Sequence, residues 1–173
     1  AGGWAGGGRT SFLGLEADPS EIEGCPVLRD TPSVVADLVE QGWRLSIGVG
    51  QPRTRAAIAR SHSKWPFVTL IHPSATFGKG QREMVEEATG SIVAAGVRLT
   101  SNISIGQQVV LNLNATVGHD VTLGDFTALM PNVSISGNVI LEEGVYVGVG
   151  AATVNGTPER PLVIGAGATI GAG

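Results

Sequence analysis

From Val93 to Val147 every sixth residue is aliphatic: Val93, Leu99, Ile105, Leu111, Val117, Leu123, Leu129, Ile135, Leu141 and Val147. The residue two places earlier is small or β-branched too: Val97, Ile103, Val109, Ala115, Val121, Thr127, Val133, Val139 and Val145. A period of six belongs neither to an isolated strand nor to an α-helix, and strands joined by turns of varied length would lose the phase. Held this long, it predicts a mainly β fold, a left-handed parallel β-helix built from hexapeptide repeats. One hexapeptide makes one short strand and one corner, and three make a triangular coil. The aliphatic residue points inward and stacks on its equivalent in the next coil. Backbone hydrogen bonds run between coils, so the stack is quasi-one-dimensional. Glycine follows the aliphatic residue at Gly106, Gly118, Gly124, Gly148, Gly165 and Gly171. The expected reason is a left-handed backbone at the corner, which only glycine adopts cheaply.

Upstream the pattern changes. Residues 1–9, AGGWAGGGR, carry no periodicity and read as a linker or the remains of a lost strand and helix. Thr10 to Leu15 reads as a strand, ADPSEIEG as a polar loop and CPVL as a second extended piece. Thr31-Pro32-Ser33 opens a helix, with Thr31 as N-cap and Pro32 at the first helical position. That helix carries Val34, Val35, Leu38 and Val39 on one face and ends near Gly42. Trp43 to Val49 reads as a strand, and GVGQPRTR turns it into a helix through about Arg60. Such a turn either offers helix N-terminal amides to a phosphate or is simply tight. Phe67 to Ile71 is a further strand.

Residues 1–70 are therefore expected to form a small, incomplete, Rossmann-like α/β domain with a parallel sheet, and residues 71–173 the β-helix. The phase slips twice, around Val85, where GKGQRE reads as a looped corner, and at NGTPERPL, residues 155–162. With no initiator methionine and a C-terminus on a repeat, the chain reads as an internal or trimmed fragment whose β-helix is cut short.

Composition narrows the partners. Hydrophobic residues at 42% against 15% charged, with 26 glycines, suit a glycine-cornered β protein rather than a disordered one. A net charge of −4 with no Lys/Arg cluster argues against nucleic acid and anionic membrane. The sequence contains no apolar run long enough to span a bilayer. The single cysteine, Cys25, cannot form an internal disulfide; it reads as a buried thiol in a reducing cytoplasm. Asn-x-Ser/Thr triplets at Asn102, Asn114 and Asn132 fall within the repeat and read as corner and strand residues, not glycan sites.

Because aliphatic side chains seal the core, reactive groups must sit at corners or on outer faces. His62 ends a helix and reads as solvated. His72, at the domain junction, reads as structural, binding or both. His119 lies two residues after inward Val117, on a corner, and is followed by Asp120. There an imidazole points away from the core and is suited to general base catalysis, although an ordinary surface histidine fits the same place. Solenoids of this type form threefold bundles, so such a histidine can face a groove between subunits. A zinc hydratase needs three imidazoles about one metal, and the repeat from Val93 onward holds one. No Cys/His spacing suggests another metal, and G-x-S-x-G is absent.

Four features occur in order: the α/β segment, TLIHPSA at 69–75, NLNATVGHD from Asn112 to Asp120, and PNVSISGNV at 131–139. With these the chain resembles the sialic acid O-acetyltransferase and UDP-4-amino-sugar N-acetyltransferase family of hexapeptide-repeat acyltransferases. The resemblance implies direct acetyl transfer from acetyl-CoA to an amino group of a nucleotide-linked sugar, or to a sugar hydroxyl, without metal or acyl-enzyme. It makes His119 the general base and Asp120 the acid that orients or polarises it or meets the substrate. The Gly137 N–H becomes the donor to the acetyl carbonyl. Asn112, His72, Gly50 and Arg55 fall at the acceptor, and Gly148, Gly150 and Ala151 along CoA. A homotrimer is expected from the fold type, and a cytoplasmic location from the single cysteine.

The chain departs from the family where AGGWAGGGR replaces a strand and Gly-Gly-His-type turn. Gly14-Leu15 stands where paired acids are common, with Glu16 and Asp18 displaced, and Gln51-Pro52 replaces a polar pair. These departures leave a second reading, a non-catalytic trimeric scaffold or degenerate homologue. An ice-binding solenoid would need a flat Thr or Ser face, and the outward positions are mixed.

Overall fold

A computed structural model describes residues 11–14 and 20–173; the expectations for residues 1–10, Leu15, Glu16 and Asp18 lie outside them. The chain divides into two compact units, one ending at Arg44 and the other running from Leu45 to Gly173. In the first, β1 (Phe12–Gly14), β2 (Glu21–Ile22) and β3 (Cys25–Arg29) form one sheet ordered β1-β3-β2. Strands β1 and β3 are parallel, and β2 returns antiparallel to β3. The return uses Glu23 and Gly24, with φ of 49° and 76°, the positive pair that a two-residue hairpin needs. A hairpin therefore stands where composition suggested only a loop. Cys25 within it is half-buried rather than sealed in a core. Helix α1 (Pro32–Glu40) starts as expected, the Thr31 hydroxyl accepting from the Val34 N–H at 3.3 Å, and it buries Val35 and Leu38.

The second unit opens with a single parallel bridge, Leu45 to Phe67, where two longer strands were expected. Between them lies α2 (Pro52–Ser61). The chain then circulates. Strands β4 (Leu70–Ile71) and β5 (Thr76–Phe77) begin the first coil, and α3 (Gln81–Glu87) takes the place of its third strand. GKGQRE thus leads into a short helix, not a looped corner. Its Val85 is buried in the core, and the Gln81 side chain accepts from the Ile103 N–H at 2.8 Å, satisfying an otherwise open strand edge.

The next coils are β6 (Ile92–Val93), β7 (Arg98–Leu99) and β8 (Ile103–Ile105); β9 (Val110–Leu111), β10 (Thr116–Val117) and β11 (Val121–Leu123); and β12 (Ala128–Leu129), β13 (Ser134–Ile135) and β14 (Val139–Leu141). Strands β15 (Tyr146–Val147), β16 (Leu162–Ile164) and β17 (Thr169–Ile170) complete the stack. All pairings are parallel, in three faces: β4-β6-β9-β12-β15-β17, β5-β7-β10-β13 and β8-β11-β14-β16. Thr116 pairs with Arg98 on one side and Ser134 on the other, eighteen residues away each time. The chain is a parallel β-helix. Past residue 154 the step lengthens, and Val139 pairs with Leu162 because the loop from Asn155 to Pro161 is inserted. Leu111, Leu129, Val147 and their equivalents are almost wholly buried in one continuous core.

The glycines after the inward residues have a different cause from the one expected. Positive φ falls two residues later, at Gly96, Asn102, Gln108, Asn114, Asp120, Phe126, Asn132, Asn138, Gly144 and Gly150. Gly118 and Gly124 are required by space: a Cβ there would come within 2.8 and 2.7 Å of backbone atoms of the next coil. The three Asn-x-Ser/Thr asparagines prove to be left-handed corner residues, a role their short side chains tolerate.

Candidate functional site

The three faces meet in three corners, and these sort the candidate residues. Residues 94–96, 112–114, 130–132 and 148–150 form the first corner, between the faces of β9 and β10. Residues 100–102, 118–120 and 136–138 form the second, between β10 and β11. Residues 106–108, 124–126 and 142–144 form the third.

His119 and Asp120 occupy the second corner, with side chains 57% and 45% exposed. The turn that projects them depends on Asp120 itself, whose φ of 56° bends the chain as asparagine does at the coils above and below. His119 Nδ1–H donates to the Asp120 Oδ2 carboxylate oxygen at 2.6 Å, the tautomer that in a neutral imidazole puts the lone pair on Nε2. The other carboxylate oxygen accepts from Asn102 Nδ2 at 2.5 Å, one coil away. The Asn102 bond first, and the His119 bond second, hold the Asp120 carboxyl below its ordinary 3.8. The carboxylate is therefore charged from neutral pH down through the usual carboxylate range, and the contact with His119 is lost only when the pH falls through the depressed value. Asn102→Ala is expected to raise the Asp120 titration toward its ordinary value. Carboxyl NMR would read the shift, and an unmoved titration would mean that Asn102 does not set it.

One coil further on, Gly137 lies beneath the imidazole. A Cβ at Gly137 would come 2.6 Å from both His119 Cε1 and Nε2, so glycine is what lets the ring lie over this backbone. The Gly137 N–H donates to Asn155 Oδ1 at 3.0 Å. Asn155 sits at the equivalent position one coil later, and sequence reasoning passed over it because it falls where the hexad breaks.

Asn112 is not at this corner. It stands at the other end of β10, on the first corner, where its Oδ1 accepts from the Leu113 N–H at 2.8 Å. The separating strand, about four residues at ~3.3 Å each, exceeds any direct contact. His72 belongs to the first corner as well. Its Nδ1 accepts from the Ser74 N–H at 3.1 Å and meets the Ser74 hydroxyl at 2.8 Å, and that hydroxyl accepts from the Gly96 N–H. The ring thereby shapes the turn that starts the β-helix. Gly148 packs on the next coil and Gly150, with φ of 73°, turns the same corner.

Ala151 and Arg55 both lie buried. Ala151 is an inward core residue, 3% exposed, so its side chain cannot line a CoA groove. Arg55 is fully buried, and its guanidinium donates to backbone carbonyls of Val49, Gly50, Gln108, Phe126 and Thr127, with none left for an acceptor. Burial lowers its pKa to about 10. The turn before α2 is likewise closed, because Gln51 Oε1 caps the Thr54 N–H at 2.8 Å. Gly50 lines a cavity of about 530 Å³ with Gln51, Arg53, Met130, Tyr146 and Thr169, on the face opposite the His119 corner. His62 is half-buried and stacks on Trp65 at 3.6 Å rather than standing in solvent. Among the described residues no cluster of His, Cys, Asp or Glu could hold a metal, and no helix is long and apolar enough to cross a membrane.

No family model matches the chain. It is 31% identical over 125 residues to GDP-perosamine N-acetyltransferase of Escherichia coli O157:H7, an overlap of 70% of this chain and 54% of that protein. The relatives are acetyltransferases. In structure the chain is similar to WeeI from Acinetobacter baumannii AYE, with a TM-score of 0.79 and 25% identity over 94% of this chain and 75% of that one. It is similar also to the acetyltransferase domain of PglB from Neisseria gonorrhoeae FA1090 in complex with acetyl coenzyme A. There the TM-score is 0.79 and the identity 26%, covering 95% of this chain and 76% of that one. The chain spans about half, or less, of the length of the curated relatives it matches.

Proposed function

We propose that the chain carries the catalytic part of an acetyl-CoA-dependent N-acetyltransferase acting on a nucleotide-linked amino sugar, on a left-handed β-helix. The observation that carries this reading is the second corner: an imidazole oriented by a carboxylate through Nδ1, with a backbone N–H one coil beneath the ring. His119 Nε2 takes a proton from the acceptor amine as its nitrogen attacks the thioester carbonyl carbon. The C–N bond forms, and the oxyanion of the tetrahedral intermediate accepts from the Gly137 N–H. Collapse breaks the C–S bond, and the proton passes from His119 to the CoA sulfur, giving the acetamide and free thiol. The relative from Escherichia coli O157:H7 is an N-acetyltransferase, which favours an amine over a hydroxyl. A sialic acid hydroxyl is the variant of the same chemistry in which a C–O bond forms.

The division of candidates between corners supports a homotrimer. Asn112, Gly148 and Gly150 on the first corner can join His119 on the second only if a neighbouring copy brings its own corner alongside. Gly50 and its cavity, on the opposite face, would likewise serve a neighbour's site. The nucleotide-sugar-binding domain expected over residues 1–70 is assigned to the unit that ends at Arg44, because residues from Leu45 onward belong with the β-helix, and a cytoplasmic location goes with a nucleotide-sugar substrate.

The test is thiol release from acetyl-CoA by the full-length protein, offered nucleotide 4-amino sugars and sialic acid separately. Release with the amino sugar is the expected result. Release with sialic acid alone would replace the amine by a hydroxyl. A folded protein that neither releases thiol nor binds acetyl-CoA would be the non-catalytic scaffold, and a monomer in light scattering would overturn the shared site.

A further inference from the structure

The Gly137 N–H, on which the proposed reaction depends, already has a partner in this chain. Asn155 Oδ1 accepts from it at 3.0 Å, and among the described residues this is the one hydrogen bond of the Asn155 carboxamide. The loop backbone beside it is pinned. The Gly156 N–H donates to the Gly137 carbonyl at 3.0 Å, and a Cβ at Gly156 would fall 2.2 Å from the Asn138 oxygen. Thr157 and Arg160 close the inserted turn with reciprocal backbone bonds of 3.0 and 3.1 Å. The Asn155 residue, by contrast, is exposed, and rotating its side chain about χ1 and χ2 requires no movement of that backbone.

An sp² carbonyl oxygen 3.0 Å from that N–H occupies the position a thioester carbonyl must take. A backbone N–H makes one short, straight bond at a time, so the two acceptors exclude one another. We propose that Asn155 is a positioning residue that stands in for the acyl carbonyl. Its carboxamide holds the oxyanion donor in place between turnovers, swings out when acetyl-CoA arrives, and reclaims the donor as the acetamide product leaves. This rests on the assignment of the Gly137 N–H to the acetyl carbonyl. It yields a distinction that the assignment alone does not: acetyl-CoA must displace Asn155, whereas free CoA, lacking the carbonyl, need not.

Calorimetric titration of the full-length protein with acetyl-CoA and with CoA tests this. Asn155→Ala removes the competitor and is expected to tighten acetyl-CoA about fivefold, the worth of one ordinary hydrogen bond, leaving CoA unchanged. Asn155→Asp offers a charged and stronger acceptor and is expected to weaken acetyl-CoA about tenfold, again with little effect on CoA. The Gly137 amide resonance should move in Asn155→Ala and, in the unsubstituted protein, on adding acetyl-CoA but not CoA. Shifts of the same sign in both variants, or equal shifts for both ligands, would show that Asn155 merely braces the loop and would overturn the proposal. A parent protein that binds acetyl-CoA with no response at Gly137 would overturn it too. Failure of the parent protein to bind acetyl-CoA at all would take down the functional assignment and this inference together.

Discussion

Replacing His119 with alanine is expected to lower kcat/KM for acetyl transfer by about 10²–10⁴, the usual worth of a positioned general base. The fold should be untouched, because the ring is 57% exposed and, among the described residues, its one hydrogen-bond partner is the adjacent Asp120. The loss should fall mainly on kcat: the imidazole acts on the amine proton as the C–N bond forms, not on the nucleotide or pantetheine portions that set binding. Steady-state thiol release against both substrates separates the two. His62→Ala is the control, since that ring stacks on Trp65 away from the second corner and should leave the rate as it was. If His119→Ala kept its kcat, the corner would not be the chemical centre, however well its geometry suits one.

The β-helix was legible because its constraint is local and repeated. Each inward position must be aliphatic, and each coil restates the demand, so the phase can be read without tertiary knowledge. The reason for its glycines was not legible. Gly118 and Gly124 look like turn residues, yet their φ angles are ordinary, and a neighbouring coil's backbone is what excludes a side chain. The left-handed positions lie two residues further on and are held mostly by asparagine and glycine, a column that alternation of apolar residues does not expose. Interruptions were the hardest to read. The helix α3 and the loop at Asn155 both begin where the period stops, and there the sequence carries no phase to follow.

The candidate site was legible in part. His119 and Asp120 are adjacent in the chain, so their pairing needed only a corner to project it. The ring's position over Gly137 follows from the eighteen-residue coil. Asn112 lies only seven residues from His119, and that nearness in sequence conceals a whole strand between two corners. Asn155 was invisible because its partner is a backbone N–H, which no side-chain motif records. A match to a family's arginine says nothing about burial, and there Arg55 misled.

Arg55→Leu is accordingly expected to destabilise the β-helix unit by about 3–5 kcal/mol, not to weaken acceptor binding selectively. The guanidinium donates at 2.7 Å to the Gln108 carbonyl and at 2.6 Å to the Phe126 carbonyl, on consecutive coils of the third corner. These two residues are the corner positions held in left-handed backbone, φ of 55° and 60°, by something other than glycine, asparagine or aspartate. For a bulky aromatic that conformation costs on the order of 1–2 kcal/mol, and Arg55 offsets it by fixing the carbonyl directions. A leucine would keep much of the volume but leave several half-buried carbonyls without a donor, each worth roughly 1 kcal/mol or more. Thermal unfolding should fall by roughly 10–20 °C for a unit of this size. Arg55→Lys should recover little, because one ammonium cannot span carbonyls arranged around a planar fork. The opposite pattern, an unchanged melting temperature with a raised KM for the acceptor alone, would return Arg55 to the binding site.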